Sequence, residues 1–332
     1  MNLSLDNLKE LEVYLKKKAW ISEEDSLLRV EKPGEGNMNF TLRVYTASGK
    51  TFIAKQSKNY VEKYPSIAAP ANRAIVEGRF FEFTQTNLEL KSFMPKLLGT
   101  DKENNIIITE DLGNSNDFTF LYKSSNESLA TNELTEIIRF LNLLHKSFKT
   151  VSPDPFFANR EMRALNHEHI FIYPFMEENG FDLDTIQPGL QSEALLYKKD
   201  DVLKKTIKAL GEKYLEDGPC LLHGDYYPGS FLKTNFGVKI IDPEFCFYGL
   251  AEFDLGVLIA HLKLSQQSQE IVDAALEKYE KGQDFEMKLL NQFVGVEILR
   301  RIIGLAQLPL SLTLDEKKIL LKEAYGLIMN NI

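Results

Sequence analysis

The stretch HGDYYPGSFLKTNFGVKIIDPEFCFYG, residues 223–249, sets a His-Gly-Asp and an Asp-Pro-Glu triplet on either side of a short apolar run expected as a strand, Val238 to Ile241. Carboxylates on loops flanking a strand have two readings. They are polar turn residues, or they are the proton-accepting and cation-binding groups of a transfer site. In phosphoryl transfer to a hydroxyl, one carboxylate accepts the hydroxyl proton while others hold Mg²⁺ against the phosphates. Asp225 suits the first role, because a loop aspartate two residues after His223 can be held by it. Asp242 and Glu244 suit the second. Two residues apart on what is expected to be extended backbone, they would point to one side and share one metal ion. Both triplets at this spacing favour the site over the turns.

At 332 residues the chain exceeds what one hydrophobic core usually organises, which predicts two lobes. Apolar residues make up 44% and charged residues 26%, the composition of a soluble globular protein. A formal charge of −9 argues against DNA or RNA as partner, since a phosphate backbone needs a basic surface. A nucleotide arriving with Mg²⁺ remains compatible. The two cysteines, Cys220 and Cys246, do not make a disulfide framework and read as small buried hydrophobes in a reducing cytosol. The opening MNLSLDNLKELEVYLKKK carries early acidic residues and no unbroken apolar core, unlike a signal peptide. No run approaches the roughly 18 apolar residues of a membrane span. A cytoplasmic protein without a membrane partner is expected; the oligomeric state stays open, a homodimer among the options.

After an opening amphipathic helix, residues 25–56 read as strands: Phe40, Leu42 and Val44 alternate with polar neighbours, TASGK (46–50) turns, and TFIAKQ (51–56) pairs back. Pro70 lies near the start of a helix reaching about Phe83, and MPKLLGT with NNIIITE forms a second hairpin. EDLGNSND (110–117) is the natural hinge. Beyond it Leu134, Ile137, Ile138, Leu141, Leu144 and Phe148 form one apolar helical stripe within 132–148. Further helices are expected over 193–216, 265–281, 283–306 and 314–330. The pattern is α+β: a small β-rich lobe, 1–112, followed by a larger α-helical lobe, 113–332.

HGD followed by ID-x-E and FDLG resembles the aminoglycoside phosphotransferase and choline kinase superfamily, relatives of protein kinases, and so implies a protein-kinase-like two-lobed fold. Those enzymes usually carry a Mg²⁺-binding asparagine five positions after the aspartate; here Ser230 stands there. HGD…GS with IDPEFCFYG is similar to the 5-methylthioribose kinase family, whose loop also lacks that asparagine. FFANREMRALNHEHIFIYPF (156–175) and the twin-arginine RRIIGLAQ (300–307) resemble the same branch, so the likeness runs with gaps from about Gly34 to Gln307. It implies ATP and Mg²⁺ as cofactors, a small-molecule hydroxyl as acceptor and a place in methionine salvage. An aminoglycoside or choline acceptor is the alternative within the fold, and an inert nucleotide-binding module the alternative outside catalysis.

The resemblance assigns the phosphate-covering turn to GEGNMNFTLRV (34–44), with Gly34, Gly36 and Asn37 near the phosphates. It assigns Lys55 to the phosphates and Glu77, on the following helix, to Lys55. The backbone from Glu110 to Leu112 would meet an adenine edge. Asp242, Glu244 and Ser230 form the implied metal set, with Asp225 as base. Consecutive helical residues point about 100° apart, so Arg300 and Arg301 are not expected to face one ligand together from mid-helix; at least one would neutralise charge on the transferred phosphoryl. His223 and Asp254 are expected to be structural, and His145, His167, His169 and His261 share no zinc-ligand spacing with either cysteine.

Overall fold

Alternating apolar residues decide how the first part of the chain folds. A computed structural model describes residues 1–34, 38–113, 115–123 and 127–329. It opens with α1 (Leu8–Lys17), β1 (Leu27–Glu31), β2 (Phe40–Thr46) and β3 (Thr51–Gln56), then a short hairpin, β4 (Tyr60–Val61) and β5 (Tyr64–Ala68). Helices α2 (Arg73–Thr84) and α3 (Leu88–Phe93) precede β6 (Leu97–Asp101) and β7 (Ile106–Glu110). Five strands form one antiparallel sheet in the order β1-β2-β3-β7-β6.

One face of this sheet, with Leu42, Val44, Phe52, Ala54, Ile106 and Ile108, packs on Leu11, Tyr14 and Leu15 of α1. The other face packs Ile107 and Leu97 on Ala74 and Ile75 of α2. Lys55 is registered opposite Ile107, so the two-residue period of β3 carries it away from the α1 core and onto the α2 face. The fold thereby directs one lysine at one helix.

The remainder runs through β8 (Asn116–Asp117), α4 (Thr131–Ser147), α5 (Arg160–His167), α6 (Leu190–Lys198) and α7 (Asp201–Leu215). Then come β9 (Cys220–Leu222), β10 (Phe231–Thr234), β11 (Gly237–Ile240), β12 (Phe247–Gly249), α8 (Ala251–Leu264), α9 (Gln269–Lys278), α10 (Met287–Ile303) and α11 (Leu314–Met329). Two compact units result: Met1–Ser115 with Lys239–Phe245, and Asn116–Val238 with Cys246–Ile332. The first is β-rich and the second mainly helical, the α+β class expected. Within the second, α10 packs on both α8 and α11. No helix among the described residues is long and apolar enough to cross a membrane.

Several expectations need correction. The helix read over 193–216 is two, broken where Asp200 accepts the N–H groups of Val202 and Leu203 and so caps α7. The β4–β5 hairpin and α3 were not anticipated. Asp254, whose position suits a loop cap or a helix start, stands in the first turn of α8, a helix with no one-sided apolar stripe because twelve of its fourteen residues are buried. The helix read over 265–281 is shorter, Gln269–Lys278.

Strand β12 pairs antiparallel with β9, Phe247 opposite Leu222 and Gly249 opposite Cys220, and this ribbon leads directly into His223. Gly218 makes the pairing possible. Its amide donates to the Tyr248 carbonyl at 3.1 Å, and a Cβ there would lie 2.3 Å from the carbonyl carbon and oxygen of Gly249. Backbone cannot yield as a side chain can. Gly218→Ala should destabilise the protein by about 2–3 kcal/mol through overpacking, visible as a lower midpoint in thermal or urea denaturation. An unchanged midpoint would mean that the two backbones can separate freely.

Candidate active site

In the second unit, the loop after β9 is built on Asp254. This residue lies in the first turn of α8, has no exposed surface, and accepts hydrogen bonds from the amides of His223 (2.7 Å) and Gly224 (2.9 Å). His145 Nε2 lies 3.3 Å from the same carboxylate, and the Tyr279 hydroxyl lies 2.8 Å from His145 Nδ1. Gly224 adopts φ +86°, a left-handed conformation that suits glycine. Nδ1 of His223 faces the amide of Asp225 at 3.4 Å, and the Ser230 hydroxyl donates to the Asp225 carbonyl at 2.8 Å. His223 and Ser230 thus shape the loop. Ser230, expected among metal ligands, uses its proton to close it.

Asp225 presents a carboxylate whose side chain is 24% exposed. Arg301 Nη2 lies 3.4 Å and Arg300 Nη2 3.8 Å from the same oxygen, Oδ1. Burial raises the carboxyl above the ordinary aspartate range, and Arg301 and Arg300 oppose that rise. The expectation that the two arginines diverge is therefore corrected. They sit near the end of α10 and their long stems fold toward Glu297, one turn earlier, so both forks reach one oxygen. The Arg301 guanidinium also lies 5.0 Å from the centre of the Tyr227 ring.

In the first unit, Lys55 Nζ donates to both oxygens of Glu77 at 2.7 and 2.9 Å and pairs with Asp242. Asp242 and Glu244 are not on extended backbone. Asp242 adopts φ +62° and Pro243–Phe245 forms a 3₁₀ turn, which leaves the Asp242 side chain 44% exposed and turns Glu244 inward. Glu244 accepts from Asn39 Nδ2 at 2.9 Å and lies 3.4 Å from Arg73 Nε. Arg73 is wholly buried and donates to the carbonyls of Met38, Lys58, Tyr60 and Pro70. Nothing in the sequence pattern singled out Arg73 or Asn39.

Three carboxylates, Glu77, Asp242 and Glu244, thus face two cations, Lys55 and Arg73. Burial pushes Glu77 up to about 8 and Glu244 up to about 7, with Lys55 acting against the rise in each case. Burial also disfavours charge on Lys55, yet Asp242, Glu77 and Glu244 together hold it above the usual lysine range. Hard oxygen donors gathered in one place and the buried Oδ1 of Asn39, which has no hydrogen-bond partner among the described residues, fit a divalent cation. Among the described residues no three His, Cys, Asp or Glu side chains form a ready-made cage. Such a cation would therefore draw on ligand oxygens as well, as Mg²⁺ commonly does with phosphates.

Of the remaining expected residues, Gly36 and Asn37 lie outside the described residues. Gly34 has open space where a Cβ would stand and its φ is not among the positive ones, so nothing among the described residues demands glycine there. Glu110 ends β7 with its amide already donating to the Lys96 carbonyl at 2.8 Å, which closes that group to an adenine edge. Leu112 follows, half-buried.

Replacing Asp254 would strand two buried backbone donors. Asp254→Ala should cost on the order of 2–4 kcal/mol, and amide hydrogen exchange at His223 and Gly224 should accelerate together. Exchange unchanged at both amides would show that another acceptor holds the loop.

The sequence profile of the Phosphotransferase enzyme family matches residues 116–288. The methylthioribose kinase of Yersinia enterocolitica is 28% identical over 270 residues, spanning 76% of this chain and 64% of that protein. The methylthioribose kinase of a Geobacillus species is 27% identical, spanning 85% of this chain and 80% of that one. This chain therefore spans less than two thirds of the Yersinia relative's length. In fold it is similar to the choline kinase LicA from Streptococcus pneumoniae (TM-score 0.52, 16% identity, 97% of this chain and 100% of that one). It is likewise similar to spectinomycin phosphotransferase in complex with ADP and spectinomycin (TM-score 0.54, 13% identity, 97% of each chain). With a family profile covering more than half of its residues, the chain belongs to the Phosphotransferase enzyme family.

Proposed function

We propose that the protein transfers the γ-phosphoryl group of ATP to a hydroxyl of a small molecule, with 5-methylthioribose the leading acceptor. The observation that carries this reading is the convergence of Arg300 and Arg301 on the oxygen of Asp225, a carboxylate raised by burial on a loop pinned by Asp254. Asp225 accepts the proton of the acceptor hydroxyl as its oxygen bonds to phosphorus and the bond to the β-phosphate oxygen breaks, releasing ADP. The arginines offset negative charge on the transferred group. Lys55, fixed by Glu77, serves the nucleotide phosphates. Asp242 and Glu244, with Asn39 beside Glu244, would hold Mg²⁺, which supplies charge neutralisation to those phosphates. The Leu112 backbone remains the candidate for the adenine edge, and residues 1–112 and 113–332 serve nucleotide and acceptor respectively.

Two relatives named methylthioribose kinase support the acceptor. Choline and aminoglycosides are cations, and two guanidinium groups beside Asp225 would repel them. An inert nucleotide-binding module would have no use for a carboxylate base paired with two arginines. Both cysteines are buried, as suits small apolar side chains in the cytoplasm.

Asp225→Asn should lower kcat by roughly 10²–10⁴ while the affinity for Mg²⁺ATP stays within about threefold, because a base acts mainly in the transition state. Steady-state ADP release and calorimetry measure the two quantities. A loss of kcat below about fivefold would remove Asp225 from the role of base.

On an acceptor panel, methylthioribose should turn over faster than choline or kanamycin-like compounds. Arg301→Ala should cost on the order of 10³ in kcat, and chelation of divalent cations should abolish turnover. Faster phosphorylation of the cationic acceptors, with the arginines dispensable, would overturn the acceptor assignment and leave the phosphotransferase reading standing.

A further inference from the structure

Behind the two arginines lies a buried chain of polar groups that the proposed transfer does not itself use: Glu297, His261 and Tyr122. We infer that Glu297 is a positioning residue that grips Arg300 and Arg301 so that Nη2 of each is held beside Asp225, and that His261 and Tyr122 fix Glu297 in place. This inference rests on the reading of Asp225 and the arginines given above.

Glu297 is 2% exposed. Its Oε1 accepts from Arg301 Nε at 2.8 Å and Arg300 Nη2 at 3.0 Å, and its Oε2 from Arg300 Nε. The spacing is i, i+3 and i, i+4 on α10, the two separations at which helical side chains meet. Glu297 thus engages Arg301 through Nε and Arg300 through both Nε and Nη2, and Nη2 of each arginine lies beside Asp225 Oδ1, at 3.4 Å for Arg301 and 3.8 Å for Arg300. A guanidinium on a flexible stem has many orientations in water. Two side by side would repel unless an anion lay between them, and Glu297 is that anion.

The hydrogen-bond directions behind it are determined. Burial alone would raise the Glu297 carboxyl, but Arg300 and Arg301 hold it well below the ordinary range, so it is an acceptor. His261, fully buried, is lowered to about 4 by that burial and is therefore neutral. Its Nε2 lies 2.9 Å from Glu297 Oε1 and must donate, which makes Nδ1 an acceptor. The Tyr122 hydroxyl, 2.5 Å from Nδ1, must then be the donor. Tyr122 fixes the tautomer of His261, His261 fixes Glu297, and Glu297 fixes the arginines. The Tyr227 ring lies 5.2 Å from that of His261 and closes the other side of Arg301.

The test uses the full chain with Glu297→Gln, Glu297→Asp, Tyr122→Phe, Arg301→Ala and the double variant Glu297→Gln/Arg301→Ala. Glu297→Gln should lower kcat for the acceptor roughly 10–100-fold, the size expected of a supporting residue, with KM for ATP changed less than about threefold. Glu297→Asp should recover part of the loss. Tyr122→Phe, a milder change that keeps the ring, should lower kcat a few-fold. In the Arg301→Ala background Glu297→Gln should add less than it costs alone, because only Arg300 is then left to position. A fully additive loss would overturn the inference.

A second arm needs no turnover. The Nε–H proton resonances of Arg300 and Arg301, assigned with Arg→Lys variants and slowed in exchange by Glu297, should shift and broaden in Glu297→Gln. Resonances unmoved there would also overturn it. If the unaltered protein phosphorylates no hydroxyl acceptor, the functional reading fails, and this arm still decides the role of Glu297.

Discussion

A carboxylate with no contact to water must find its partners inside the protein, and in the second unit Asp254 meets this demand with the backbone itself. Two consecutive amides, those of His223 and Gly224, converge on it, and two consecutive amides can do so with few backbone geometries. The left-handed Gly224 follows, then the direction of Asp225, then the short 3₁₀ turn that Ser230 ties back. His145 and Tyr279 support the same carboxylate from behind. Remove the buried charge and no other feature of the loop is required.

The first unit uses charge differently. Lys55 is a compact cation with three donors, and the sheet register brings it to α2, where Glu77 takes two of its hydrogen bonds. Around it the carboxylates outnumber the cations. Burial disfavours the ionised forms of Glu77 and Glu244, and positive charge brought by a ligand would draw those forms out. Asp254 and Lys55 therefore illustrate two uses of burial: one saturates a charge to fix a shape, the other holds back charge that a ligand would draw out.

The sequence was most legible where chemistry is local. His-Gly-Asp, Asp-Pro-Glu and the alternation of β2 and β3 announce themselves within a few residues. Legibility failed where a feature depends on distant partners or on uniform burial. The helix α8 has no polar face to reveal it, and Arg73 and Asn39 acquire meaning through Glu244, far along the chain. The convergence of the arginines is hidden in the sequence because helical geometry sets Cβ directions and not the positions of side-chain tips. A guanidinium is long enough to cancel a 100° difference in direction. Glu297 was within reach, since it stands three and four residues before the pair, the spacing of a helical ion pair.

Arg73 has a consequence for motion. Its forked donors join carbonyls of Met38, Lys58, Tyr60 and Pro70, groups that belong to three separate stretches of chain. The β4–β5 hairpin, with a first strand of two residues, is too short to persist on its own backbone pairing. None of these stretches can release its carbonyl without weakening the hold on the others, since a buried guanidinium with unmet donors is costly. They should fluctuate as one cooperative unit, opening and closing together on the slow timescale of local unfolding. Met38 at the entry to β2 and the segment that follows β3 thus belong to a single dynamic element, although the chain writes them as two.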